Sequence, residues 1–464
     1  MEPISCTAIP KTIFRAYDIR GVVGESITPE SIYILGQAIA SVAKQEGEKT
    51  IITARDGRLS GPILAEALHH GLQDSGCQVI DIGQVPSPVL YFATKHLQYH
   101  SGVMLTASHN PSNYNGLKIV LAGKSLSGDA IDALYRRVQA GGFESEEKGS
   151  YQQLSVTEAY LNQITQTISL VRPLRVVLDC GNGVGAVVAP ELLRRLGCEV
   201  IELFCEVDGH FPNHHPDPSV PENLNDLIAC VKQHQADIGL ALDGDGDRLG
   251  VVTNHGEIIW PDRQMMVYAA DVLSRNPGAL IIYDIKSTSH LEKLIARKGG
   301  RSLMWKTGHS IMKAKLEETG ALLAGEMSGH IFFKERWYGF DDGLYTAARL
   351  LEILAKTEKS VSALFAELPN RIHTPELKVA IAEHKKFSFM QDFQIHVNFP
   401  DATLIKIDGI RAEFRDGWGL VRASNTSPYL ILRFEADNVM ALTRIQDLFR
   451  SVLLARNPEL KLPF

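Results

Sequence analysis

The chain has 464 residues, 45% hydrophobic and 22% charged, an ordinary globular composition that at this length suggests roughly three or four domains. A net charge of −7 and a pI near 6.2 argue against nucleic acid as a partner, and no run reaches the about 18 apolar residues of a membrane span. Six scattered cysteines without a CxxC pair read as thiols of a reducing compartment, not as a zinc site.

The opening residues, MEPISCTAIPKTIFRAYDIRG, lack the apolar core of a signal peptide, so a cytoplasmic protein is expected. Residues 50–54 are apolar and end on Arg55-Asp56-Gly57-Arg58. A helical pattern at Leu64, Leu68 and Leu72 follows, then Gly76 and a strand over 79–82. The order returns at 174–178, with Asp179-Cys180-Gly181-Asn182-Gly183, a helix from Pro190 closed by Gly197, and a strand over 200–203. It returns again at 279–283, with Asp284-Ile285-Lys286-Ser287 and a helix around 291–296 closed by Gly299. Proline at a helix start and glycine past its end are the expected punctuation. Three such copies predict three similar mixed α/β domains.

Boundaries follow composition. Residues 140–152 are polar and glycine-rich, 254–262 hold a turn and Pro261, and 367–375 hold two prolines. The expected domains are 1–150, 151–255, 256–368 and 369–464. The last differs in kind. Residues 404–414, 419–423 and 429–434 read as antiparallel strands. Residues 439–454 read as an amphipathic helix with Leu442, Ile445, Leu448 and Phe449 on one side. A smaller α+β domain is predicted there.

Four loops carry chemistry. In MLTASHNPSNYNGLK (104–118), an apolar run over 102–105 lifts Ser108 to the end of a buried strand, followed by His109, Asn110 and Pro111. Ligands of open α/β sheets sit in front of such strand ends, although a Ser-Asn-Pro turn also serves the backbone alone. In LALDGDGDRLGVV (240–252), Asp243, Asp245 and Asp247 alternate with Gly244 and Gly246. Hard oxygen ligands of this kind suit Mg²⁺. A calcium EF-hand fails because an apolar strand follows at once. In GEMSGH (325–330), Glu326, Ser328 and His330 alternate onto one face, a carboxylate and a hydroxyl suited to neighbouring sugar hydroxyls. In VRASNTSPYL (421–430), Arg422, Ser424, Asn425 and Thr426 supply the fork, hydroxyls and amide of a phosphate cradle. Taken singly, the last two also read as ordinary polar loops.

Together and in this order, TASHNP, DGDGDR, GEMSGH and RASNTSP resemble the loops of the α-D-phosphohexomutases, phosphomannomutase/phosphoglucomutase branch, over essentially the whole chain. The resemblance implies an active site in a cleft between four domains. It implies reversible transfer of phosphate between C1 and C6 of mannose or glucose phosphates. Ser108 would be the phosphoserine carrier, and a hexose 1,6-bisphosphate the intermediate and activator. One Mg²⁺ on Asp243, Asp245, Asp247 and the Ser108 phosphate would stabilise the transferring group, which Arg248 can also reach. The family pattern gives Lys118 and His330 proton handling and places His109 beside the phosphoserine. It gives Tyr17, Arg20, Lys286 and His309 further substrate contacts. Glu326 and Ser328 would hold O3 and O4, and Arg422, Ser424, Asn425 and Thr426 the phosphate not being transferred. Phosphoglucosamine mutase is the alternative within the same fold. The expected partners are small phosphosugars, with neither nucleic acid nor membrane, and the expected state is a monomer or weak homo-oligomer.

Overall fold

A computed structural model describes residues 9–143, 147–425 and 427–464. Its four sheets follow one another along the chain. The first has seven strands. Gly102–Leu105, Thr50–Arg55, Gln78–Gln84 and Tyr151–Gln153 run parallel, and Tyr114–Leu121 returns antiparallel to bridge Gly102–Leu105 and Ile19–Val22. The second places Ile238–Leu242 parallel to Arg175–Asp179, which is parallel to Glu199–Leu203, with Leu249–Thr253 antiparallel beyond. The third repeats this with Leu323–Gly325, Leu280–Asp284 and Arg301–Trp305 parallel and Ile331–Phe333 antiparallel. The central strands of each sheet are buried over most of their length, as the continuous apolar runs of parallel sheets require, while the outer strands Tyr151–Gln153, Glu199–Leu203 and Arg301–Trp305 are not.

The repeat explains where the loops fall. In each of the three units a parallel strand passes through one loop into the antiparallel strand beside it. Those loops are 106–113, 243–248 and 326–330, which bear Ser108, the three aspartates, and Glu326 with His330. Three copies of one supersecondary unit therefore present three different chemistries at the same topological position. The connections after Thr50–Arg55, Arg175–Asp179 and Leu280–Asp284 add Arg58, Cys180 and Lys286 from the same end of the strands.

A continuous apolar core threads the first three units, from Ile52 and Phe92 through Leu178 and Leu240 to Tyr268 and Leu350. The C-terminal unit has its own core, built on Phe393, Leu432, Phe434 and Phe449. Its sheet is antiparallel throughout, with Gly417–Ala423 between Ile410–Phe414 and Tyr429–Ala436, and the helix Val439–Arg456 packs on it. Where the sequence predicts one strand over 404–414 there are two, Thr403–Ile405 and Ile410–Phe414, paired as a hairpin. Asp408-Gly409 reverses the chain, with Gly409 at φ +75°. Two expected boundary segments carry regular structure. Tyr151–Gln153 extends the first sheet past residue 150. Residues 254–257 turn into Ile258–Ile259, a strand of the second sheet, and Pro261 starts the helix Pro261–Arg275. No helix among the described residues is long and apolar enough to cross a membrane.

Candidate active site

Ser108 sits where its strand has just ended, with φ +48°, a left-handed conformation uncommon outside glycine. Its amide donates to the Thr106 hydroxyl at 2.8 Å, and its own hydroxyl donates to Asp243 Oδ2 at 2.7 Å and lies 3.2 Å from His109 Nδ1. The serine and aspartate loops touch: a Cβ on Gly244 would stand 2.4 Å from the Ser108 carbonyl, so only glycine lets the two backbones meet.

Asp243, Asp245 and Asp247 are fully buried and offer oxygens within 4.8 Å of one another. Lys118 reaches two of them, at 2.6 Å from Asp245 Oδ2 and 2.5 Å from Asp247 Oδ2. Burial alone would lower the Lys118 pKa, but the two carboxylates raise it well above the usual lysine value, so the side chain is an ammonium. Asp245 also accepts from the Ser87 hydroxyl at 2.5 Å. Even so, Asp245 Oδ1 is buried without a hydrogen-bond partner. Orphaned carboxylate oxygens of this kind cost free energy unless a cation meets them. The triad fits a hard divalent ion.

The loop over 326–330 lies against the aspartate loop. Glu326, Ser328 and His330 converge, with the Ser328 hydroxyl 3.1 Å from Glu326 Oε2 and His330 Nδ1 3.0 Å from the same oxygen. The amide of Gly308 donates to Glu326 Oε1. His330 Nε2 lies 3.3 Å from Asp247 Oδ1 and 3.2 Å from Arg248 Nε. Burial and Arg248 both depress its pKa, yet Asp247 and Glu326 outweigh them and hold it at about 9. The ring is then protonated, Nε2–H faces Asp247, and Arg248 is a neighbouring charge. His109 and His309 go the other way. Burial keeps both rings neutral, helped by Arg248 and Arg20 at the first and by Lys313 and Lys118 at the second.

The remaining expected residues, Thr426 excepted, make contacts of their own. Arg20 bridges Asp18 and Asn110 at 2.5 Å each, tying the first strand to the serine loop. Tyr17 packs edge-on against His309, with centroids 4.8 Å apart. Burial, Asp18 and Glu326 push its hydroxyl up to about 12. Lys286 pairs with Glu376 at 2.6 Å and Arg422 with Asp408 at 2.9 Å. Ser424 bonds Ser427 at 2.8 Å, and the Asn425 amide reaches the Thr307 carbonyl at 3.4 Å. Thr426 lies outside the described residues.

Several residues join the site that the sequence alone does not single out. Arg58 is 1% exposed and donates to the carbonyls of Ser108, Asn110, Pro111 and Tyr114 at 2.6–2.9 Å. Asp56 pairs with Arg58 and accepts from Thr106 at 2.7 Å. The Arg-Asp-Gly-Arg run is visible as the first loop of the repeat, but its role is set by a turn about fifty residues away. Asp341 lies 2.9 Å from Lys313 and 3.5 Å from His309.

Sequence models of the phosphoglucomutase/phosphomannomutase domains match four consecutive stretches. Alpha/beta/alpha domain I matches residues 11–145, domain II 158–256, domain III 260–372 and the C-terminal domain 376–452. A phosphomannomutase/phosphoglucomutase of Pseudomonas putida is 57% identical over 457 residues, covering 98% of each chain. A phosphoglucomutase of Neisseria gonorrhoeae is 52% identical, covering 98% of this chain and 99% of its own. The crystal structure of a phosphoglucomutase/phosphomannomutase family protein from Burkholderia thailandensis superimposes with a TM-score of 0.93 at 51% identity, covering 98% of this chain and 100% of the other.

Proposed function

The chain belongs to the phosphoglucomutase/phosphomannomutase family, hexose-phosphate mutases that are intramolecular phosphotransferases, and from that premise we propose that it moves phosphate between C1 and C6 of glucose and mannose phosphates with Ser108 as the carrier. The two sugar oxygens are too far apart for a direct shift, and a covalent carrier divides the task into two phosphoryl transfers. Phosphorylated Ser108 gives its phosphate to the free hydroxyl, producing a hexose 1,6-bisphosphate. The bisphosphate turns over in the cleft, and its other phosphate returns to the serine. The observation that carries this reading is the buried Ser108 hydroxyl, 2.7 Å from the first of three clustered carboxylates.

Asp243, Asp245 and Asp247, with an oxygen of the Ser108 phosphate, would hold Mg²⁺, which supplies charge neutralisation of the transferring phosphoryl group. The side chains do the rest. Arg248 beside Asp243 and Arg20 on Asn110 bring two guanidinium forks to the serine loop. Neutral His109, 3.2 Å from Ser108 Oγ, takes the serine proton when phosphate returns. Protonated His330 and the Lys118 ammonium donate hydrogen bonds into the cleft from opposite sides of Asp247. Glu326 and Ser328 read O3 and O4, which are equatorial in both glucose and mannose. Arg422, Ser424, Asn425 and Thr426 hold the phosphate that is not being transferred, with Lys286 beside them, while Tyr17 and His309 line the sugar.

A linked-enzyme assay with glucose, mannose and glucosamine 1-phosphates tests this, together with intact-mass analysis. The expected result is a phosphate adduct that disappears in Ser108→Ala, with isomerisation and no release of inorganic phosphate. Glucose and mannose phosphates should turn over within about tenfold of each other, roughly 1.4 kcal/mol. Phosphate on another residue, or stoichiometric phosphate release, would overturn the reading.

A further inference from the structure

Five cysteines fall among the described residues, and two of them meet. Cys205 Sγ lies 3.4 Å from Cys180 Sγ, while Cys77, Cys198 and Cys230 stand apart as single thiols. The pair sits where the neighbouring parallel strands Arg175–Asp179 and Glu199–Leu203 end together. Chains in such a pair run about 4.8 Å apart, inside the Cα separation that a disulfide spans, about 4.4–6.8 Å. The backbone bends on both sides to bring the thiols together. Gly181 and Asn182 follow Cys180 with φ +52° and +58°, and Phe204 precedes Cys205 with φ +51°. A bulky residue in the left-handed region is a costly conformation, held only where its surroundings fix it. Here they do: the Asn182 amide donates to the Phe204 carbonyl at 2.9 Å, and its side chain to the Glu206 carbonyl at 2.8 Å.

We propose that Cys180 and Cys205 form a reversible oxidation site, closing an intramolecular disulfide when the protein meets hydrogen peroxide, and that closing it slows the mutase. Cys205 is half-buried and Cys180 fully buried, so Cys205 meets the oxidant. The hydrogen bond from Cys205, and then burial, hold the Cys180 thiol well above the ordinary range, so it stays protonated while Cys205 reacts first. The Cys205 thiolate attacks one peroxide oxygen. The O–O bond breaks, the other oxygen leaves as water after taking a proton, and a sulfenic acid remains. The Cys180 sulfur then attacks the Cys205 sulfur. The S–S bond forms, the S–O bond breaks, and hydroxide leaves as water with the Cys180 proton. Two thiols lose two electrons and two protons, and one peroxide becomes two waters.

The link to turnover is the loop that Cys180 opens. Closing the bond draws the sulfurs from 3.4 Å to about 2.05 Å. Three residues on from Cys180, the Gly183 position lies against Gly244 of the aspartate loop with no room for a side chain, and the Val184 amide donates to the Gly244 carbonyl at 3.1 Å. Asp179, just before Cys180, holds His214 at 2.9 Å, and Gly244 in turn meets the Ser108 carbonyl with no room for a side chain between them. A displaced joint is felt by both loops that carry the reacting groups.

The test treats the full chain with hydrogen peroxide, followed by non-reducing intact mass, peptide mapping and mutase assay. The expected result is a loss of about 2 Da with a Cys180–Cys205 crosslink, a fall in turnover of severalfold, and recovery of both with dithiothreitol. Cys205→Ser should fold with unchanged basal turnover and show neither effect. Cys180→Ser should retain an oxygen adduct on Cys205 instead of a crosslink. Oxygen adducts without a crosslink in the unsubstituted chain, a crosslink that persists in Cys205→Ser, or full turnover in the crosslinked protein would each overturn the proposal.

Discussion

At the serine end of the cleft, loops from the first two units meet through main-chain bonds and fully buried charges. Arg58 clasps four carbonyls of one loop, and Lys118 is clamped between two carboxylates of the next. At the phosphate-loop end the cations rest on carboxylates from nearby segments, Arg422 on Asp408 and Lys286 on Glu376, and both of those carboxylates are part-exposed. The first end is set before any ligand arrives, as groups must be that meet developing charge. The second holds its cations in place with acids that an anionic ligand can displace. On the proposed function one end serves the step and the other the grip, and substitutions at the two should fall on different kinetic constants.

The largest effect is expected at the step end. Asp245→Asn should cost several kcal/mol of transition-state stabilisation, read as a loss in kcat of on the order of a thousandfold or more with little change in KM. Full turnover of this variant, or of the unsubstituted protein in excess chelator, would break the comparison. Arg58→Lys comes next. A lysine keeps the charge beside Asp56 but cannot span four carbonyls, so the serine loop loosens, and kcat should fall by about ten- to a hundredfold with KM nearly unchanged. Arg422→Ala should do the reverse. If, as proposed, Arg422 holds the distal phosphate equally before and during transfer, KM should rise by about tenfold while kcat holds within about threefold. A drop in kcat alone for Arg422→Ala would place it at the wrong end.

The smallest effect concerns stability. Burial holds the Asp342 carboxyl up at about 7, although the Tyr345 amide, Tyr160 and Trp337 all donate to it. Unfolded, it titrates at about 3.9. Between about pH 4 and 7 the folded chain therefore carries the extra proton, and stability declines as pH rises through that window. Asp342→Asn removes this slope. Melting temperatures of the two proteins should draw together or cross as pH rises from about 4.5 to 8, and parallel curves would refute the assignment.

Contiguous chemistry is legible in the sequence and convergent chemistry is not. Asp243, Asp245 and Asp247, or Glu326, Ser328 and His330, declare themselves because spacing within one loop fixes which side chains can meet. Lys118 reads as a strand-end lysine until the fold brings it to aspartates 127 and 129 residues away. Arg58 is marked only as part of a repeat loop, and Asp341 and Glu376 carry no local mark at all, since their partners lie on other elements. The three-fold repeat is readable as strand, loop and helix. That each copy continues into an antiparallel strand through a functional loop is not, because an apolar run alone does not reveal its direction. The hairpin over 403–414 stays hidden although Asp408-Gly409 signals a turn. Apolar residues continue on both sides of it and read as one strand.

The arginines of the last unit have a mechanical consequence. Arg411 lies over the Trp418 ring at 3.7 Å and donates to the carbonyls of Ile285 and Ser287 at 2.6 Å each, while Arg433 reaches Asp262 at 3.0 Å. These bonds are buried and charge-assisted, and breaking them would strand cations away from water. At the cleft rim, by comparison, the Asn425 amide holds Thr307 by a contact of 3.4 Å. A rotation of this unit that spared the costly bonds would have to turn about them. The last unit is thus pinned to the third by buried arginines around Trp418, and loss of Arg411 would loosen that joint at its most deeply buried point.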